Sequence, residues 1–107
     1  MKVDKYVLFF PSAVRRISKR MGITPPNHHQ LCVLYLLRRR GLLRFSAIIK
    51  LLESYGISPS EKTLSHSLTS LLSSDLIVKS SEGYIVSNTG REFISYVRSF
   101  LLNKRIY

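Results

Sequence analysis

The sequence predicts a single, mainly α-helical domain that carries one small β-hairpin. Its 107 residues fit one domain of ordinary size. Its composition, 45% hydrophobic and 21% charged, is typical of a folded core and not of a disordered chain. Apolar residues recur at helical spacing along most of the chain, and short β-rich runs occur within residues 76–86. No apolar run approaches the roughly 20 residues that cross a bilayer, which excludes a transmembrane protein.

The first predicted helix begins at Pro11 and ends near Gly22. Its apolar residues fall on one side and its cations cover the other sides, so it is a basic amphipathic helix. Such a helix can lie on a membrane surface, but three apolar side chains bury little area, and packing on the domain core is favoured. Pro25-Pro26 breaks the chain, so that residues 1–26 form an N-terminal arm. The apolar residues are Val14, Ile17 and Met21, and the cations are Arg15, Arg16, Lys19 and Arg20.

The second predicted helix forms the centre of the domain. Asn27 is a good N-cap for it, and Gly41 is a residue type that ends helices. Residues 31–37 are apolar all round, which predicts a helix that is buried on most sides. The three arginines at 38–40 suit the negative end of its dipole.

Two further helices follow in the sequence. Residues 42–45 form a short extended piece, and residues 46–55 keep the spacing of one buried helical face. The motif Ser58-x-x-Glu61 then reads as a capping box, with Pro59 at the first position of a helix that runs to about residue 73.

A β-hairpin and a last helix complete the prediction. Residues 76–79 and 84–86 are the two strands, joined by residues 80–83. Ser87 can cap a final helix over about residues 88–103.

This order of elements resembles a winged helix-turn-helix domain. Residues 57–77 look like the turn and recognition helix of the multiple-antibiotic-resistance regulator group (MarR-like) and its relatives. Residues 84–94 look like the second wing strand running into the C-terminal helix of that group. The resemblance covers about residues 27–103. It implies a winged-helix core over residues 27–87 and a C-terminal helix, 88–107, that serves dimerisation.

The resemblance implies a double-stranded-DNA-binding protein, a homodimeric transcriptional regulator with helix 59–73 in the major groove. The side chains on this helix are mostly small and hydroxylated, which permits close approach and supplies both donors and acceptors. Asp75 stands where the group usually has glycine, and aspartate tolerates a left-handed backbone. The residues expected to face the bases are Ser60, Lys62, Thr63, His66, Ser67 and Ser70.

The charge of the chain is strongly basic and uneven. The formal net charge is +11, and residues 1–50 hold eleven of the seventeen Lys and Arg but only one acid. This predicts a polyanionic partner and a basic face built by the N-terminal half. Neutralising about four to six phosphates would give a slope of log K against log salt of about −4 to −5. The expected contacts to the DNA backbone are Arg38, Arg39, Arg40, Arg44, Ser46 and Lys79, extended by Arg15, Arg16, Lys19 and Arg20.

The last helix and the arm are more apolar than one small domain easily covers. In the MarR-like group the terminal helices form a two-fold interface, and a dimer would set two recognition helices roughly 34–36 Å apart on the DNA. The alternative is a monomer that folds these segments over its own core. The expected interface residues are Phe93, Tyr96, Val97, Phe100 and Leu101, beside the apolar arm residues 6–10.

Several other functions find little support. The single cysteine, Cys32, excludes an internal disulfide and a multi-cysteine zinc site. His28 and Cys32 have a spacing that can hold a metal, but two further ligands are missing, and core packing is favoured. No catalytic or phosphate-loop motif is found, so we expect neither enzyme activity nor a cofactor. The N-terminus lacks the features of an export signal, and we expect a cytoplasmic protein.

Two other binding functions remain open. The first is a protein–protein module of the same fold in a larger nucleoprotein complex, with the basic arm docking an acidic partner. The second is RNA binding, although single-strand readers use an aromatic stacking platform that is not visible here.

Overall fold

The computed structural model describes the backbone of residues 11–106 and the side chains of residues 11–100. It confirms the predicted class, a mainly helical chain with one two-stranded hairpin. None of the helices in this range is both long and apolar enough to cross a lipid bilayer. The elements are α1 (Pro11–Met21), α2 (His28–Arg40), α3 (Phe45–Ser54), α4 (Glu61–Ser73), β1 (Ile77–Ser80), β2 (Gly83–Val86) and α5 (Asn88–Ile106).

Helix α2 lies at the centre and contacts α3, α4 and β2. Its residues 31–34, 36 and 37 are buried, as the continuous apolar run predicts. Asn27 and Gln30 form a reciprocal cap, in which each side-chain oxygen accepts from the other residue's backbone N–H, at 2.9 and 3.1 Å. The helix ends at Gly41, whose φ of +89° suits a residue without a Cβ. Both predicted ends of this helix are confirmed.

Helix α1 packs against α5. Val14 and Ile17 are buried there with Ala13, while the cations of α1 remain exposed. The prediction that the basic helix packs on the core is confirmed.

The start of α4 corrects the predicted capping box. The N-cap is Ser60, not Ser58: the Ser60 hydroxyl accepts from the Thr63 N–H at 3.0 Å, and the helix begins at Glu61. Helix α3 ends just before Gly56, and residues 58–60 belong to the segment that connects it to α4. Pro59 therefore precedes the cap, and Glu61 lies in the first turn, where its charge suits the helix dipole.

The hairpin is antiparallel, and a third segment, at Leu43, pairs with its second strand. Ile77 pairs with Val86, and Ser80 pairs with Gly83. Leu43 pairs with Tyr84 on the free side of β2 through two backbone hydrogen bonds of 2.9 and 2.7 Å. The extended piece predicted at 42–45 is therefore shorter: Leu43 docks on the sheet, and α3 begins at Phe45.

A short, hydrogen-bonded connection joins the hairpin to α5. Ser87 caps the helix, because its hydroxyl accepts from the Gly90 N–H at 2.9 Å and also donates to the Asp75 carbonyl. The Ser87 N–H donates to the Leu76 carbonyl at 3.1 Å. Asp75 itself has a φ of +60°, the left-handed conformation anticipated for it. The cap is as predicted, and the helix continues to Ile106, past the predicted end at residue 103.

Candidate nucleic-acid interface and a basic groove

One side of α4 is exposed and polar. Leu64, Leu68 and Leu71 face the core. The opposite side carries Lys62, Thr63, His66 and Ser70, all exposed. Ser60 is exposed as well, but its hydroxyl is engaged in the cap and lies 2.9 Å from the Thr63 hydroxyl. Five of the six residues predicted to face DNA therefore lie on the solvent side of this helix or at its start.

Ser67 is a correction to that set. Its side chain is only 4% exposed, and its hydroxyl lies 2.7 Å from Nδ1 of His29, on α2. Helix α4 packs on α2 along this side, so Ser67 belongs to the helix–helix contact and cannot reach a groove of DNA. The sequence pattern missed this because serine on a helix is usually exposed.

The first turn of α2 holds two histidines in different settings. His28 Nε2 lies 3.8 Å from the sulfur of Cys32, which is buried. Nε2 of His29 is buried without a hydrogen-bond partner among the described residues. Burial, with a smaller contribution from the charge of His28, lowers the pKa of His29 below its ordinary 6.5. Within residues 11–100, no group of three or more potential ligands is placed to hold a metal ion.

The stability of the fold is expected to decrease as the pH falls below about 6.5. The unfolded chain restores the ordinary pKa of His29, so it binds more protons than the folded chain between the lowered pKa and 6.5. The contribution of His29 to the free energy of unfolding is therefore fully present above pH 6.5. As the pH decreases below 6.5, this contribution decreases by at most about 1.4 kcal/mol per pH unit.

Urea unfolding at about pH 7.5 and about pH 5.5 measures this dependence. His29→Gln should weaken it, whereas His66→Gln, at an exposed position, serves as the control. An equal pH dependence in wild type and His29→Gln would contradict the assignment.

The cations of α1 are all exposed, and one of them also has a structural contact. The guanidinium carbon of Arg16 lies 5.3 Å from the centre of the Phe100 ring, a distance at which a cation is attracted to an aromatic face. Arg16 therefore helps to hold α1 on α5. Arg15, Lys19 and Arg20 are exposed and extend the basic surface.

The three arginines that end α2 do not share one direction. Successive residues of a helix are rotated by about 100°, so Arg38, Arg39 and Arg40 spread around its last turn. Arg38 is directed to α5, where it lines a groove with a cavity volume of about 430 Å³. We name this the α2–α5 groove; its lining residues are Arg38, Arg91, Ile94, Ser95, Arg98 and Ser99.

Arg91 and Arg98 are residues that the sequence analysis did not single out. They are separated by seven positions on α5 and therefore lie on the same side of the helix. The seven-residue spacing could have indicated a basic side on this helix. It did not stand out because residues 51–107 are almost neutral in total, with six Lys and Arg against five acids.

Three of the predicted backbone contacts lie near the hairpin. Lys79 pairs with Tyr84 across the sheet, and its ammonium nitrogen lies 5.6 Å from the centre of that ring. Tyr84 in turn pairs with Leu43, which precedes Arg44. Two strand spacings thus separate Lys79 from this segment, about 10 Å. Arg44 is the N-cap residue of α3, and Ser46 is exposed in its first turn.

The predicted dimerisation residues are also corrected in part. Phe93 and Val97 are fully buried in the chain's own core, because α5 packs on α1 and β2. Phe100 is half-buried beneath Arg16, whereas Tyr96 is 49% exposed. The side chain of Leu101 and the arm residues 6–10 lie outside the described residues. Of the predicted interface residues whose side chains are described, Tyr96 is exposed, whereas Phe93 and Val97 are not accessible to a second copy.

Comparison with known proteins gives a structural likeness. The chain is similar to the activation domain of the phage T4 transcription factor MotA, with a TM-score of 0.67 and 14% sequence identity. The match covers 88% of this chain and 94% of that chain. No protein-family model and no curated protein sequence matches the chain. At this identity the likeness establishes a common fold, and the MarR-like resemblance stays a prediction.

Proposed function

We propose that this protein binds double-stranded DNA through the exposed side of α4 and acts in transcription. The observation that carries the proposal is the polar surface of α4: an exposed helix side with one lysine, one histidine and small hydroxylated residues. A helix of this kind can approach the major groove closely, since no long apolar side chain separates it from the base edges.

Nearby cations support this function. Lys79 lies on β1, which α4 contacts, and Arg44 follows the segment that pairs with the other side of β2. Backbone phosphates are the natural partners of such exposed cations. The side of α4 carries no Arg, Asn or Gln, the residues that make the strongest paired contacts with bases. We therefore expect modest sequence readout, partly through water.

The structural relative supports the connection with transcription. It is named as the activation domain of a transcription factor, and a domain of this fold can therefore serve in transcription. That name favours protein contacts as much as DNA contacts. The second candidate function is accordingly a protein-interaction module of a transcription complex, which the α2–α5 groove also favours.

A homodimer fits the DNA-binding proposal. Two copies related by a two-fold axis would present two α4 helices to successive turns of the duplex and favour a palindromic site. Light scattering at micromolar concentration, for wild type and Tyr96→Asp, tests this: we expect a dimer that the substitution weakens. A wild-type monomer at all concentrations would contradict it.

Charge reversal on α4 tests the DNA-binding site. We expect Lys62→Glu to lower the affinity for a random-sequence duplex by about tenfold or more, because it replaces an attraction to phosphate by a repulsion. Lys50→Glu is the matched control: it makes the same charge change at an exposed helix position outside the proposed site. Fluorescence anisotropy at low salt measures both affinities, and circular dichroism verifies the fold.

Two results would count against the proposal. Equal losses in Lys62→Glu and Lys50→Glu would place the DNA elsewhere on the surface. The absence of duplex binding by the wild type at low salt would reject DNA binding and favour the protein-interaction module.

A further inference from the structure

The α2–α5 groove is a concave basic site that includes Arg38, which the sequence had predicted to contact the DNA backbone. Arg38, from α2, and Arg91, from α5, are exposed, and Arg98, also from α5, is half-buried. Ile94 is buried at its floor, while Ser95 and Ser99 present hydroxyl groups. Three guanidinium groups around one small groove produce a strongly positive local potential.

The residue types in the groove are suited to carboxylates. A guanidinium is planar and presents paired N–H donors that match the two oxygens of a carboxylate. Serine hydroxyls can donate further hydrogen bonds to the same oxygens. None of the lining residues that the structure describes is acidic.

The dimensions of the groove favour a protein segment. Arg91 and Arg98 are seven residues apart, which places their Cα atoms about 10 Å apart along α5. Two acidic side chains on one peptide can match this spacing, whereas a single small anion covers only part of it. A DNA duplex is a broad convex rod that can contact exposed arginines at the rim but does not fill a groove of about 430 Å³ between two helices.

We propose that the α2–α5 groove docks an acidic segment of a partner protein, with Arg38, Arg91 and Arg98 pairing with its carboxylates. This surface is distinct from the exposed side of α4, so the inference does not depend on DNA binding.

The test compares two double variants with the wild type. Arg38→Gln with Arg91→Gln removes two charges from the groove, and Arg15→Gln with Arg20→Gln removes two charges from the exposed side of α1. The probe is a fluorescein-labelled deca-glutamate peptide, and fluorescence anisotropy measures its dissociation constant. We expect the groove variant to weaken peptide binding by about tenfold or more and the α1 variant by no more than about threefold.

Two further measurements use duplex DNA as a second ligand and inorganic phosphate as a competitor of the peptide. A random-sequence duplex should lose no more affinity in the groove variant than in the α1 variant. Inorganic phosphate should displace the peptide no better than sodium chloride at the same ionic strength. These results, together with the peptide result above, support the proposal.

Three outcomes would overturn it. Equal losses of peptide binding in both variants would mean non-specific charge attraction. A selective loss of duplex binding in the groove variant would assign these arginines to the DNA surface. Specific displacement by phosphate would indicate a site for small anions. Thermal unfolding of both variants verifies that each is folded, and Arg91→Lys should retain part of the affinity, because it keeps the charge but loses the paired donors.

Discussion

Replacing Gly90 with alanine is expected to lower the free energy of unfolding by about 2 kcal/mol or more. Gly90 is buried in the first turn of α5, against the end of the hairpin. A Cβ at this position would overlap the carbonyl oxygen of Leu76 and would lie 2.8 Å from Cγ1 of Val86. The Leu76 carbonyl accepts from the Ser87 N–H, so it cannot move away without weakening the junction between hairpin and helix.

Helix propensity and the close contact at Gly90 predict opposite effects of Gly90→Ala on stability. The φ of Gly90 is not in the left-handed region, and alanine is favoured over glycine inside a helix by about 1 kcal/mol. Without the close approach, the substitution would therefore stabilise the protein. We expect the melting temperature to fall by roughly 8–16 °C instead.

Thermal and urea unfolding measure the effect on stability. Ser99→Ala, at an exposed position of the same helix, is the control and should change stability by no more than about 0.5 kcal/mol. A Gly90→Ala protein more stable than the wild type would show that the hairpin and α5 are not packed as described.

Raising the salt concentration from about 50 to about 200 mM is expected to lower the affinity for duplex DNA by roughly 250- to 1,000-fold. The reason is the release of counterions when exposed Lys and Arg neutralise phosphates. About four to six such contacts give a slope of log K against log salt of about −4 to −5. The basic charge of the chain, +11, makes this term the main source of affinity.

Single substitutions show how much each residue contributes to the salt dependence of DNA binding. Arg44→Gln is expected to reduce the magnitude of the slope by about 1, since it removes one phosphate contact. The sequence predicted Arg38 as a further backbone contact; our proposal assigns it to the α2–α5 groove instead, so Arg38→Gln should leave the slope nearly unchanged. Titrations of a random-sequence duplex at several salt concentrations measure each slope. A wild-type slope shallower than about −2 would reject a phosphate-based interface of this size.

The secondary structure was largely predictable because its signals are local. The cap at Asn27, the stop at Gly41 and the cap at Ser87 depend on residues within a few positions of one another. The one wrong cap, at Ser58, shows the limit of such signals. Ser58 and Ser60 are both good capping residues, and the length of the turn after α3 decided between them.

The candidate site was predictable only in part. The exposed side of α4 followed from its apolar stripe, because Leu64, Leu68 and Leu71 dictate which side is buried. Ser67 lies at the edge of that stripe, and its contact with His29 depends on how α4 meets α2, thirty-eight positions away in sequence. No local pattern contains that information.

By itself, the sequence determined the helical segments, the hairpin and the basic character of the surface, since periodicity, caps and net charge are properties of short segments and of composition. Only the tertiary structure decided which polar and apolar residues are accessible. Packing placed Phe93 and Val97 in the core, and it brought Arg38 beside Arg91 and Arg98. The physical reason is that accessibility and charge clustering depend on which helix faces meet, and those contacts join residues that are far apart along the chain.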